Sequence, residues 1–221
     1  PREVYSGFGR MVELSDRTIL AAMYGASSPR GMERCSWLYR SRDGGQTWDQ
    51  VSLIEKGFNE TALLRLPSGK LLAALRSDTV AAVWTSESLD NGETWSKPRR
   101  TTRDGEHPGD LLLLPSGKVL LTYGHRLRPY GVRALLSEDE GHSWDYRRTI
   151  TLVADAGTRD CGYPSSVVLD DGTMATAYYS VEDRVPHCLA ESCTLSGSVG
   201  LPLNWGIHAA LVRYREQDLW A

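Results

Sequence analysis

What this chain lacks narrows its nature before any motif is read. No apolar run reaches the roughly 18 residues that a transmembrane helix needs, so no membrane-spanning segment is predicted. No long stretch has helical period, which predicts very little helix. Neither sign of charge dominates: 25 Lys and Arg against 28 Asp and Glu give a net charge of −3. That balance offers no electrostatic case for nucleic acid or an anionic membrane. Cysteine is scarce, at four residues, and Cys35, Cys161, Cys188 and Cys193 lack zinc-finger spacing. Cys188 and Cys193 are close enough in one loop for a disulfide, and buried free thiols fit equally well. Redox compartment and localisation therefore stay open. His107, His125, His187 and His208 share no metal-ligand spacing, and no acidic loop suggests calcium. Neither a metal nor a cofactor is predicted. No signal peptide is read, and Pro1 is expected to follow a removed or uncaptured N-terminal segment.

What is present is apolar and repetitive. Apolar residues make up 41% of the chain and Trp occurs seven times, enough to bury a core. One phrase occurs three times, as Ser41-Arg-Asp43-Gly-Gly45-Gln-Thr47-Trp48, Ser88-Leu-Asp90-Asn-Gly92-Glu-Thr94-Trp95 and Ser137-Glu-Asp139-Glu-Gly141-His-Ser143-Trp144. The pattern is S-x-D-x-G-x-[ST]-W, with starts 47 and 49 residues apart. A period near 50 residues built from short strands points to a propeller or array. Asp followed two residues later by Gly is hairpin chemistry: the carboxylate accepts backbone N–H groups and the glycine takes a positive φ. The closing Trp is large enough to plug a blade against the hairpin. These residues are read as structural staples, remote from any ligand.

A second element precedes the phrase in each unit. It is an apolar run, a Ser/Asp/Gly turn and another apolar run, at residues 11–22, 62–74, 111–121 and 167–177. Asp16 is assigned the turn position that Gly69 and Gly117 hold in other units. Each such element reads as a β-hairpin, and two hairpins make a four-stranded antiparallel blade. Four units result, at roughly 8–55, 58–103, 107–153 and 162–215, forming one array over 1–221. The fourth lacks the phrase, and its outer half, 186–202, reads as a loop.

Three such phrases at this spacing resemble the Asp-boxes (BNR repeats) of the sialidase, or neuraminidase, superfamily. The resemblance implies an all-β, six-bladed propeller of which about four blades are present. It also implies an exo-sialidase-like glycoside hydrolase that removes a terminal sialic acid, or a related anionic sugar, from a glycan. In that family a tyrosine nucleophile is paired with a glutamate, three arginines clamp the substrate carboxylate, and an aspartate is the acid/base. A neutral tyrosine suits an anionic substrate that would repel a carboxylate nucleophile, and guanidinium matches carboxylate with paired hydrogen bonds. By resemblance, Glu60 in Phe58-Asn-Glu-Thr61 is the partner glutamate. Arg76, a short hairpin later, is a clamp arginine. Another clamp arginine falls among Arg126, Arg128 and Arg133, with Arg126 first. Tyr163 in Cys161-Gly-Tyr-Pro-Ser-Ser166 is the nucleophile. Asp110, opening an inner strand, is a further candidate for lining the pocket.

Each of these residues also has a plainer reading. Glu60 fits a solvated loop carboxylate, Arg76 an ion pair with Asp78 or Glu60, and Tyr163 a core tyrosine. Six blades at about 50 residues each need roughly 300 residues, so about two N-terminal blades are expected to be missing. The first clamp arginine and the acid/base aspartate would lie there. Arg10 and Asp16 match them only by residue type. Hydrolase activity is thus implied for a six-bladed parent and not for these 221 residues alone. The alternatives are a carbohydrate-binding propeller without a working acid/base, and a propeller for protein partners without converging arginines.

Overall fold

The computed structural model describes residues 5–26, 33–77, 79–182 and 206–220. Cys188, Cys193, His187, Asp78 and the expected loop at 186–202 lie outside that set. Sixteen strands form four antiparallel sheets, with two 3-10 turns, Tyr146–Arg148 and Glu216–Trp220, among the described residues. The first sheet holds β1 (Tyr5–Gly7), β2 (Val12–Glu13), β3 (Ile19–Ala26), β4 (Arg34–Ser41) and β5 (Asp49–Lys56). Both β1 and β2 pair with β3, so together they act as one interrupted inner strand. The second sheet is β6 (Phe58–Arg65), β7 (Leu71–Ser77), β8 (Val83–Ser88) and β9 (Arg99–Arg100). The third is β10 (Glu106–Leu113), β11 (Val119–His125), β12 (Gly131–Ser137) and β13 (Ile150–Val153). The fourth has three described strands, β14 (Cys161–Val168), β15 (Met174–Glu182) and β16 (Gly206–Tyr214). This is a four-blade propeller arrangement of the sialidase type.

The core lies between blades. One cluster, with Leu20, Leu38, Leu63 and Leu71, joins the first sheet to the second. A second, with Leu72, Val83, Leu121 and Leu135, joins the second to the third. A third, with Leu120, Leu136 and Met174, joins the third to the fourth. The inner strands of the second and third blades, β6 and β10, are buried on both faces, which explains why they read as near-continuous apolar runs. Each fully buried leucine contributes about 1.5–3 kcal/mol.

The turn of each inner hairpin repeats in atomic detail. The amide of Leu14, Leu66, Leu114 and Leu169 donates to the carbonyl of Thr18, Lys70, Lys118 and Thr173, at 2.8–2.9 Å. The left-handed position is Gly69, Gly117 and Gly172 in three copies and Arg17 (φ 67°) in the first. Arg17, not Asp16, therefore stands where the glycines stand. Asp16 is the preceding residue, and its Oδ1 accepts the Thr18 amide at 3.0 Å, as Asp171 accepts that of Thr173. The one-residue misplacement arises because an arginine fills a position read from glycine.

The three turn phrases also repeat. Ser41 Oγ donates to Asp43 Oδ1 and accepts the Gly45 amide, while Asp43 accepts the Thr47 amide and hydroxyl. Asp90 and Asp139 make the same set with Ser88, Gly92 and Thr94 and with Ser137, Gly141 and Ser143. The threonine hydrogen bonds hold the carboxyls of Asp43 and Asp90 down at about 2. In Asp139 burial opposes the shift, and the bonds from Ser143 outweigh it.

The phrases differ in what lies against them. A Cβ on Gly92 would collide with Leu38 of the first blade, and one on Gly141 with Leu72 of the second. Trp95 Nε1 also donates to Ser52 Oγ of the first blade at 3.1 Å. These two phrases staple each blade to the one before it. Gly45 meets nothing closer than its own Trp48, whose Nε1 donates to the Gly45 carbonyl at 3.0 Å. Trp48, Trp95 and Trp144 close the three hairpins, and Trp95 and Trp144 pack on the inter-blade clusters.

Candidate active site

Antiparallel pairing puts the phrases and the candidate site at opposite ends of the strands. Ser88, which opens the second phrase, pairs with Leu71 at the start of β7, whereas Arg76 is near the end of β7 and pairs with Val83. Phe58, two residues before Glu60, pairs with Ser77. The site is therefore built where inner strands begin and second strands end.

Each inner strand of the second, third and fourth blades carries one extra residue at this end. Phe58 to Thr61 faces Ser77 to Leu75, Glu106 to Gly109 faces His125 to Tyr123, and Gly162 to Ser165 faces Tyr179 to Ala177. Three residues thus span the space of two, a β-bulge that bends the strand and re-aims its side chains. The bulges carry Asn59-Glu60, His107-Pro108 and Tyr163-Pro164. Tyr163 sits in the left-handed region at φ 50°, an uncommon place for a bulky residue. Such strain clusters at functional sites.

The bulges and strand ends bring four candidate residues together. Tyr163 Oη donates to Glu60 Oε1 at 2.5 Å. Arg76 Nη1 donates to Glu60 Oε2 at 2.5 Å and to Tyr163 Oη at 2.9 Å. The glutamate is therefore held at both oxygens, and the tyrosine oxygen is shared between a carboxylate and a guanidinium. Arg126 lies with its guanidinium 5.7 Å from the centre of the Tyr163 ring. Burial, then the hydrogen bond to Glu60, pushes the Tyr163 hydroxyl up to about 12, so it stays protonated at neutral pH. Glu60 is buried and sits on an inner strand, so it is not a solvated loop carboxylate.

The other candidates are engaged with other partners. The Arg128 guanidinium stacks 5.2 Å from the Tyr130 ring, and Arg133 lies within β12 opposite Tyr123 and Thr151. Asp110 is buried, and its Oδ2 accepts Arg10 Nη2 at 2.9 Å and the Ser166 amide at 2.8 Å. Arg10 Nη2 also reaches the Ser166 carbonyl at 2.5 Å. Burial raises the Asp110 carboxyl above its usual range, against the pull of Arg10. Asp110 thus joins a tie between the first, third and fourth blades.

Four residues at the site were not singled out from sequence. Phe8 meets the Tyr163 ring edge-on at 5.8 Å. The Tyr179 ring lies 5.6 Å from that of Tyr163, and its hydroxyl donates to Asp160 while accepting Arg126 Nη2 at 3.4 Å. His107 is buried in the third blade's bulge, close enough to Arg76 and Arg126 for both to act on its charge. Nothing in the sequence signalled His107, because a bulge leaves no mark there. Among the described residues no cluster of His, Cys, Asp and Glu could hold a metal ion.

Fold and repeat together define a β-propeller of the sialidase and BNR superfamily. The chain belongs to the BNR repeat-like domain family, whose model matches residues 1–176. No sequence match is found among curated proteins. Among solved structures it is similar to a protein of unknown function from Dyadobacter fermentans DSM 18053, at 26% identity and a TM-score of 0.73, over 94% of this chain and 53% of that one. It is also similar in fold to the Hadza microbial sialidase Hz136, at 22% identity and a TM-score of 0.64, over 80% of this chain and 35% of that one. The GH93 α-L-arabinofuranosidase of Fusarium graminearum is alike in fold at 16% identity and a TM-score of 0.66, over 95% of this chain and 62% of that one. The chain therefore spans about half the length of the first of these proteins and about a third of the second.

Proposed function

We propose that this propeller belongs to a glycoside hydrolase that removes a terminal anionic sugar, sialic acid foremost, from a glycan. The observation that carries the reading is the Tyr163–Glu60 hydrogen bond of 2.5 Å, braced by Arg76. A phenol held near 12 is a weak nucleophile on its own. Glu60 is positioned to take the Oη proton as the oxygen attacks the anomeric carbon and the glycosidic bond breaks, the leaving oxygen taking its proton from the acid/base aspartate, so free tyrosinate need not accumulate. Arg76 steadies the negative charge that passes between the two oxygens. Arg126, and the open hydrogen-bonding capacity of Arg76, would receive the substrate carboxylate. In this reading a six-blade ring supplies the acid/base aspartate and a third clamp arginine from blades additional to the four seen here.

A second reading, a carbohydrate-binding propeller without turnover, draws support from the carboxylates at the site. Glu60, Asp110 and Asp160 each have internal partners, which leaves none of the three plainly set to protonate a leaving group. The fold likeness to an α-L-arabinofuranosidase adds a neutral sugar to the comparison. The test is hydrolysis by the full-length protein of two fluorogenic substrates, a sialoside and an α-L-arabinofuranoside, with Tyr163→Phe alongside. Release from the sialoside alone, lost in the variant, supports the hydrolase reading. Release from the arabinofuranoside alone overturns the anionic-sugar assignment, and binding without release favours the second reading.

A further inference from the structure

His107 occupies the bulge position in the third blade that Tyr163 occupies in the fourth and Asn59 in the second. The residue is 5% exposed, and it follows Glu106, which pairs with His125 next to Arg126 and bridges to Ala82 next to Val83, the partner of Arg76. Nδ1 is sealed from solvent with no hydrogen-bond partner. A buried polar atom left alone at a site calls for an explanation. Sealing a bare lone pair is more readily tolerated than sealing an unpaired N–H. The tautomer that satisfies this places the proton on Nε2, the nitrogen through which the ring can still meet a ligand.

We propose that His107 is a further ligand-contacting residue, donating Nε2–H to an oxygen of the ligand's anionic group beside Arg76 and Arg126. This rests on the reading that the site takes an anionic sugar. Burial first, and then the two guanidiniums, hold the ring neutral, near a pKa of about 3. A neutral imidazole adds a directed donor without a third positive charge crowding Arg76 and Arg126. The pairing of two cations with one neutral donor fits an oxyanion such as a carboxylate, and it gives a neutral sugar hydroxyl no comparable gain.

The experiment uses histidine-¹⁵N NMR of the full-length protein at pH 7, with acetate as a bare carboxylate and N-acetylneuraminic acid added in separate titrations. Spectra of His107→Gln and His107→Asn each identify the His107 signals by their loss. The expected result is an Nε2–H tautomer in the free protein whose Nε2–H signal moves with either probe. In binding, Gln, whose amide reaches the place of Nε2, keeps N-acetylneuraminic acid affinity near that of the parent. Asn, whose amide reaches only the place of Nδ1, weakens it about tenfold. A response to acetate without binding of the sugar acid supports the role of His107 and overturns the sialic acid reading. Sialoside turnover with no His107 response to either probe overturns the role of His107 and leaves that reading standing. An Nδ1–H tautomer, an imidazolium, or equal affinity in the Gln and Asn variants also overturns the proposal.

Discussion

The two ends of the strands follow opposite rules. At one end, three turn phrases repeat the same hydrogen bonds, atom for atom, in three blades. At the other, three bulges repeat the same backbone but carry Asn59-Glu60, His107-Pro108 and Tyr163-Pro164. Repetition of side chains builds the frame, because every blade must pack on its neighbour in the same way. Repetition of backbone with different side chains builds the site, because each blade contributes one different group toward the same end of the strands. Chemistry is found where the repeat is kept in the main chain and broken in the side chains.

The contrast is sharpest in activity. Glu60→Gln keeps the shape of the site but removes the proton acceptor of Tyr163, so the proposed reaction should lose about 10³ in kcat. Asp90→Asn, in a phrase, should leave kcat unchanged and lower Tm. Steady-state kinetics and a melting curve on both variants check this, and equal losses of kcat would erase the distinction between the two ends.

Within the phrases, the glycines of similar φ differ in what a side chain would meet. Gly92→Ala forces a Cβ into Leu38 at φ +88° and should cost about 3 kcal/mol. Gly45→Ala at φ +90° meets only the Trp48 ring, at an ordinary contact distance of 3.8 Å, and should cost only about 1 kcal/mol, the backbone contribution. Denaturant melts give both values, and a Gly45 variant as damaged as the Gly92 variant would refute the stapling role.

Among the three arginines, Arg126→Lys should weaken binding of an anionic sugar about tenfold by losing the planar fork, whereas Arg128→Lys should change it little. Titration calorimetry on the two variants decides. Equal effects would mean that proximity to Tyr163 does not select the clamp.

Acid should unfold the two ends in different windows. His107 sits near 3 in the folded chain, below its ordinary 6.5. As pH falls through 6.5 the unfolded chain takes up this proton and the folded chain does not until about 3. Stability therefore falls across that window, by at most about 1.4 kcal/mol per pH unit for this group. His125, also held low mainly by burial, adds to the loss that begins below 6.5. Asp43 and Asp90 act later: their contribution is whole above 3.8 and is lost as pH falls toward 2. His107→Gln should flatten the upper window and spare the lower one, which melts between pH 7 and 2 would show.

The frame was legible in the sequence because its rule is repetition. Asp-x-Gly with a closing Trp, spaced by nearly 50 residues, encodes turn, blade and array at once. Glu60, Arg76, Arg126 and Tyr163 were reachable only through resemblance, since nothing local in Phe58–Thr61 or Cys161–Ser166 states that the two segments meet. The rest was hidden for identifiable reasons. A bulge adds one residue without a sequence mark, so His107 read as an unassigned histidine. Asp110 looked open at the head of a strand because its partner Arg10 is 100 residues away. Arg17 in a glycine's place moved the turn reading onto Asp16. Arg128 and Arg133 matched by type and segment, but Arg128 stacks on Tyr130 and Arg133 lies within β12 opposite Tyr123 and Thr151.

The most direct test of the central claim is covalent trapping of the full-length protein with a fluorinated sialoside that forms the glycosyl-enzyme quickly and hydrolyses slowly. Peptide mass spectrometry should place the adduct on Tyr163 and find none in Tyr163→Phe. An adduct on Glu60, or sialoside turnover with Tyr163 never modified, would contradict the account.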